Sequence, residues 1–267
     1  RARRIIPDNV SSGTSLALRA LGPYGGSAPG YRLTTFLVDG ESALDAGCLT
    51  DALPLSAQRR VRRVFLTHAH FDHLASLPML MENLYGQGPG LDILAPEPVL
   101  SAIGRHILNG RIWPDFRKLP SRERPSVRFR VLEEGRPYRA GAVSFTPFSV
   151  SHVVPAYGYI VSKPTRSVLF SGDTGQTDRL WEAARRARNL KAIFLEVSFS
   201  DTQLAIAHVS RHLTPSMVRE ELPKAPPRIP IFLYHMKPPS LARIRREITA
   251  LDEPRLRLLD SERGFRF

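Results

Sequence analysis

Short apolar runs that stop on a polar side chain recur along this chain, and they set the first expectations. Val61-Arg62-Arg63-Val64-Phe65-Leu66 is apolar and β-branched enough to predict a strand, and it runs straight into Thr67-His68-Ala69-His70-Phe71-Asp72-His73. The alternation in Val143-Ser144-Phe145-Thr146-Pro147-Phe148-Ser149-Val150-Ser151 predicts another strand, ending at His152. Ser167-Val168-Leu169-Phe170-Ser171-Gly172 ends at Asp173, with Gly172 and Gly175 supplying a tight turn, and Ile229-Pro230-Ile231-Phe232-Leu233-Tyr234 ends at His235. Helical spacing predicts helices near 73–85, 97–108, 178–188, 214–222 and 240–251, with strands in the gaps. Asp178 and Thr214, the latter followed by Pro215, are the expected N-caps. Between Gly110 and Pro125 the density of proline and charge predicts a long loop, of a size that is usually functional or mobile. Strand and helix signals run from about residue 33 to 260 without a low-complexity linker or a strong internal repeat. One α/β domain over 1–267, with ample core, is therefore expected.

Candidate chemistry concentrates at the ends of those runs. His68, His70, Asp72 and His73 form an HxHxDH array on a predicted strand-to-helix turn. His68 and His70 lie two residues apart and can point the same way, whereas Asp72 and His73 on the turn are displaced toward a second position, a layout that serves two ions rather than one. A solvated His-rich turn is the bland alternative, and three His and an Asp rarely fall at this spacing by chance. His152, Asp173 and His235 also sit at the C-terminal ends of strands, where open α/β sheets place their sites. Each taken alone is more often a cap or turn residue than a ligand.

The pattern of HxHxDH, a lone His, Ser-Gly-Asp and a late His resembles the metallo-β-lactamase superfamily of binuclear hydrolases. Within it the chain resembles the class II 3',5'-cyclic-nucleotide phosphodiesterases most. That resemblance rests on Leu21-Gly22 with Gly25-Gly26, Leu44-Asp45-Ala46-Gly47, the array through Pro78, and Asn109 through Ile112-Trp113-Pro114-Asp115. It continues through Pro155-Ala156-Tyr157-Gly158-Tyr159, Phe170-Ser171-Gly172-Asp173-Thr174-Gly175, Leu195-Glu196-Val197-Ser198-Phe199, His212-Leu213-Thr214-Pro215 and Tyr234-His235-Met236-Lys237-Pro238. Phe71 stands where an aliphatic residue is expected, and Arg211 where a small one is, which places a bulky cation near the site.

The resemblance implies a four-layer αβ/βα sandwich. It also implies two divalent metal ions, with zinc the best fit to imidazole and carboxylate ligands and iron or manganese open. His68, His70 and His152 would hold one ion, Asp72, His73 and His235 the other, and Asp173 would bridge both. A hydroxide shared by the ions would attack phosphorus and open the cyclic ring at the 3' oxygen, giving a nucleoside 5'-monophosphate. Asp72, itself a ligand, His212 and Glu196 are the expected catalytic side chains, with His212 protonating the leaving alkoxide and Glu196 orienting it. His212 could instead merely precede the helix at Thr214. His106 and His208 are expected on surfaces or helix faces, and Tyr157, Trp113 and Phe199 in core packing rather than stacked on a base.

Composition modifies this picture little. The net charge is +13 with a sequence pI near 10.6, which invites a nucleic-acid reading. However, the 33 Arg and 5 Lys are spread through nearly every segment instead of forming a stripe, which argues for a solvated surface that also draws in a small anionic substrate. Nucleic acid is disfavoured as a partner without being excluded, and a homodimer is left open. Cys48 is the only cysteine and gives no compartment. No apolar run approaches the roughly 18 residues of a membrane span. The chain opens at Arg1, so an upstream signal segment is not excluded; a cytoplasmic location is slightly favoured over a periplasmic or secreted one. Two alternatives accompany the phosphodiesterase reading. One is a tRNase Z-like endonuclease that processes tRNA 3' ends, against which stands the lack of a long Gly/Pro-rich arm flanked by basic residues. The other is a catalytically silent metallo-fold that binds a nucleotide, against which stands the intact ligand set.

Overall fold

The computed structural model describes residues 15–267, so residues 1–14 of the expected domain lie outside the described residues. The described strands are β1 (Ala17–Gly22), β2 (Thr35–Val38), β3 (Ser42–Leu44), β4 (Arg63–Phe65), β5 (Leu91–Ala95), β6 (Val127–Val131), β7 (Tyr138–Ala140), β8 (Val143–Ser149), β9 (Tyr157–Lys163), β10 (Arg166–Phe170), β11 (Leu190–Glu196), β12 (Ile231–Tyr234), β13 (Leu256–Leu258) and β14 (Arg263–Arg266). They form two seven-stranded sheets, in the orders β14-β1-β2-β3-β4-β5-β6 and β13-β12-β11-β10-β9-β8-β7. Each sheet is antiparallel on one side and parallel on the other, through β3 to β6 in the first and β10 to β13 in the second.

The apolar runs explain the layering. Along β11 and β12 successive side chains point to opposite faces. Ala192, Phe194, Phe232 and Tyr234 face the other sheet, while Ile193, Leu195, Ile231 and Leu233 face the helices. A strand buried on both sides needs a continuous apolar sequence. Between the sheets, Phe36, Phe65 and Leu94 meet Phe145, Tyr159, Phe170 and Phe194, with Phe65 stacked on Phe145 at 3.7 Å and Phe170 on Phe194 at 4.7 Å. Outside the first sheet lie helices Leu77–Leu84 and Glu97–His106; outside the second lie Asp178–Arg186, Pro215–Glu221 and Leu241–Ala250. The result is the expected four-layer sandwich, helix–sheet–sheet–helix. No helix among the described residues is long and apolar enough to cross a membrane.

Three local expectations change. The single helix expected over 73–85 is two, Phe71–Leu74 and Leu77–Leu84. Ser76 breaks it because its backbone N–H and its hydroxyl both donate to the Ala46 carbonyl, at 2.9 and 2.6 Å, and Pro78 then opens the second helix. The cap of the 178–186 helix is Thr177, whose hydroxyl accepts from the Arg179 N–H; Asp178 is the first helical residue and pairs with Lys224 instead. Helices Leu49–Ala52 and Leu55–Gln58 are too short to show a periodicity, and Leu204–Ser210 shows none because it buries only Ala207. Thr214 does cap its helix, with Pro215 in the first turn, and residues 110–125 do form a loop.

Candidate metal centre

The site lies where both sheets present the C-terminal ends of their parallel strands. β3 delivers Asp45 as the next residue, β4 runs into the array, β10 leads to Asp173, β11 ends on Glu196 and β12 is followed at once by His235. His152 follows β8 on the β8–β9 loop. That loop is pinned to the Asp173 turn by Ser151 N–H to the Thr174 hydroxyl at 3.1 Å and Gly175 N–H to the Ser151 carbonyl at 2.8 Å.

Six of the chain's eight histidines converge here. His68, His70 and His152 form one group whose ring nitrogens lie within 4.8 Å of one another, and Asp72, His73, Asp173 and His235 form a second. Asp173 lies between them: Oδ2 is 3.6 Å from His68 Nε2 and 3.2 Å from His235 Nε2, and Oδ1 is 3.2 Å from His73 Nε2. On the first side His152 Nε2 is 3.1 Å from His70 Nδ1. The Nε2 atoms of His68, His73 and His235 and Oδ1 of Asp173 are buried without a hydrogen-bond partner. Orphaned polar atoms of this kind are rare and costly, and their convergence within a few ångströms of one another is what a bound cation would relieve. The donor set of imidazoles and carboxylates fits divalent ions.

Partners on the far side of each ring hold it in place. Asp45 Oδ2 lies 2.7 Å from His73 Nδ1, and the same carboxylate accepts from the Thr67 N–H at 2.9 Å and the Thr67 hydroxyl at 3.0 Å. With its proton given to Asp45, the Thr67 oxygen accepts from His68 Nδ1 at 3.0 Å, so one carboxylate orients two rings. The Thr34 hydroxyl is 2.6 Å from His235 Nδ1. His152 Nδ1 donates to the Arg211 carbonyl at 3.1 Å, while the Arg211 guanidinium donates to the His152 carbonyl at 2.8 Å. Asp45, Arg211 and His235 all adopt left-handed backbone, φ 58°, 54° and 67°, a strained choice for non-glycine residues that clusters at functional sites. Gly25 lies so close that a Cβ there would come within 2.6 Å of His235 Nε2.

Electrostatics separates the rings. Burial holds His68 well below the usual imidazole range and lowers His70 and His152. Burial also pulls on His73, but the flanking carboxylates of Asp173 and Asp45 outweigh it and raise His73 well above that range. Against the upward pull of burial, His235 and His73 drive Asp173 well below the carboxylate range, and His73 and His235 lower Asp72.

Beside the first group stands the pair expected from the sequence. His212 Nδ1 donates to Glu196 Oε1 at 2.7 Å; the same carboxylate oxygen accepts from the Thr174 N–H at 3.1 Å, and Oε2 accepts from the Ser198 hydroxyl at 2.9 Å. Burial depresses His212, but Glu196 raises it on balance, so it holds its proton more firmly than a free imidazole. The third potential ligand group is His152, Asp173 and His212, which puts His212 within reach of the first pocket.

His68, His70, Asp72, His73, His152, Asp173 and His235 thus make up the two groups, with His212 and its partner Glu196 beside them, while His106 and His208 are exposed on helices. Phe199 packs edge-on against His212 at 5.7 Å, Trp113 packs on the helical layer beneath the first sheet, and Tyr157 is partly buried between layers. Asp45, Thr34, Thr67 and Ser198 were not nominated as site residues. Asp45 carried a signal, as a polar residue directly after an apolar strand; Thr34 carried none, because its partner lies 201 residues away.

The model of the family described as "Beta-lactamase superfamily domain" matches residues 36–236. Ribonuclease Z of Pyrococcus abyssi (strain GE5 / Orsay) is 32% identical over 117 residues, which is 42% of this chain and 34% of that protein. The chain thus matches about a third of the length of its first curated relatives. Among solved structures, unliganded yeast PDE1 superposes with a TM-score of 0.75 at 18% identity, covering 91% of this chain and 96% of that one. The metallo-β-lactamase fold protein YhfI from Bacillus subtilis superposes with a TM-score of 0.74 at 17% identity, covering 94% and 99%. At these identities the two structures bear on the fold alone.

Proposed function

The chain belongs to the β-lactamase superfamily, and on that premise we propose that it is a metal-dependent phosphodiesterase that opens 3',5'-cyclic nucleotides to nucleoside 5'-monophosphates. The observation that carries the reading is the pairing of a seven-residue ligand cluster with a Glu196-held His212 at its edge. In this reading His68, His70 and His152 hold one divalent ion, Asp72, His73 and His235 a second, and Asp173 both, with zinc the best-suited metal. Bound there, the ions supply Lewis acidity and a water of lowered pKa. The protein's own task is then proton delivery. A ribose 3' alkoxide is a poor leaving group, and His212, kept protonated by Glu196, donates to it. Ser198 and the Thr174 amide fix Glu196 so that its charge stays on His212 Nδ1. The Trp113-Pro114-Asp115 and His235-Met236-Lys237-Pro238 blocks resemble the class II phosphodiesterases and so support this reading over the tRNA endonuclease.

A second reading, a tRNA-processing endonuclease, is favoured by the sequence match to ribonuclease Z. Purified protein offered 3',5'-cAMP, 3',5'-cGMP, 2',3'-cyclic nucleotides and a precursor tRNA in parallel separates the two. Ring opening of the 3',5' substrates with shallow salt dependence is expected, since a single phosphate releases few counterions; cleavage of the precursor alone would hand the assignment to the endonuclease. Within the active protein, His212→Ala should slow cAMP turnover by roughly 10²–10⁴-fold and spare a nitrophenyl phosphodiester, whose leaving group needs no proton. Equal losses on both, or lost metal, would take the acid role from His212.

A further inference from the structure

Lys237 is two residues beyond His235, and its backbone is clamped: its N–H donates to the Ser198 carbonyl at 3.1 Å and its carbonyl accepts from the Ser240 N–H at 2.9 Å, before Pro238 and Pro239. The side chain is free to reach inward. Its ammonium lies 3.2 Å from Asp72 Oδ2, the same oxygen that is 3.6 Å from His235 Nε2, and 26% of the side chain is open to solvent. The ammonium thus stands at the rim of the second ligand group, against the one ligand of that group that is partly open to solvent. An ammonium carries three donors, and the Asp72 bond uses one.

Composition adds a second argument. This chain uses 33 Arg and 5 Lys, yet a lysine occupies this rim. A guanidinium is a planar fork suited to bidentate pairing, whereas an ammonium is a compact point charge that can follow an oxygen whose position changes. Arg211, the cation near the opposite side, has part of its fork committed to the His152 carbonyl.

We infer that Lys237 is a substrate contact, its ammonium binding a non-bridging oxygen of the phosphate presented to the metal cluster. The inference rests on the phosphodiesterase reading for its substrate, but the anion contact can be read without turnover. Lys237→Met should retain metal content by elemental analysis and bind inorganic phosphate about tenfold or more weakly, by calorimetry on the metal-loaded protein, as loss of a charged hydrogen bond requires. It should lower kcat/KM for bis(p-nitrophenyl) phosphate by a similar factor, and Lys237→Arg should recover part of both. Unchanged phosphate affinity in a metal-replete Lys237→Met would overturn the inference. So would loss of the second ion, which would make Lys237 a support for Asp72. If the wild-type protein cleaves no phosphodiester but its phosphate binding still depends on Lys237, the proposed activity fails while the anion contact stands.

Discussion

The two ligand groups differ in how firmly the fold holds them. In the second, His73 and His235 are fully buried, each with a side-chain partner on its far nitrogen, Asp45 at 2.7 Å and Thr34 at 2.6 Å, and Gly25 presses against His235 from above. In the first, His70 is only half-buried and leans on His152, which is itself held by a backbone carbonyl of the Arg211 turn. The second pocket thus encloses both its rings, whereas the first sets the buried, Thr67-held His68 beside the half-buried His70 and the loop-borne His152. The charge states diverge as well. Burial lowers His68, His70 and His152, which favours the neutral, ligating form, whereas the carboxylates of Asp173 and Asp45 raise His73 against burial. Rigidity and readiness are therefore divided between the two pockets, with Asp173 in contact with both.

Asp173→Ala is the variant that should erase the distinction. If Asp173 serves both pockets, elemental analysis should show both ions lost, and turnover should fall to background. An ion retained at the first pocket would show that His68, His70 and His152 suffice by themselves. Asp45→Asn should act more narrowly. It removes the charge that orients His73 directly and His68 through Thr67, and losing the partner that orients a ligating imidazole costs roughly 10–100-fold in metal affinity. A chelator titration should find the loss mainly on the ion held by His73; equal loss of both ions would mean that the Thr67 relay matters as much as the direct bond. The smallest effect is a proton count. Raised above its ordinary value, His73 holds a proton more firmly than the lowered His68, His70 and His152, and a ring must be free of that proton to ligate. Calorimetry in buffers of different ionisation enthalpy should therefore assign about one more proton to filling the second pocket than the first. Equal proton release would mean that the two pockets start from the same charge state.

Much of this site was legible in the chain because strand ends announce themselves. An apolar run buried on both faces must stop where it leaves the sheet, and the His68–His73 array, Asp173 and His235 lie on one rim because those strands run in parallel regions of their sheets; His152 joins them because β8, two antiparallel steps from β10, runs the same way as β10. Asp45 followed the same rule and was legible as a motif before it was understood as an orienter. The four-layer order was implied by the family resemblance, and runs such as Ile231–Tyr234, which carry no polar face, are the strands that such layering buries on both sides. Where the sequence misled, a long-range contact overrode a local pattern: Ser76 bonds to Ala46 and splits a helix whose apolar spacing is continuous.

What the sequence determined by itself was which side chains could ligate and how they were spaced along each strand end, since those depend on residue type and a two-residue period. Only the tertiary structure decided which rings share a pocket, that Thr34 meets His235, that Arg211 clasps His152 and that Lys237 stands over Asp72. Those contacts join residues up to 201 positions apart, and no local periodicity encodes a distance that is set by how two sheets pack face to face.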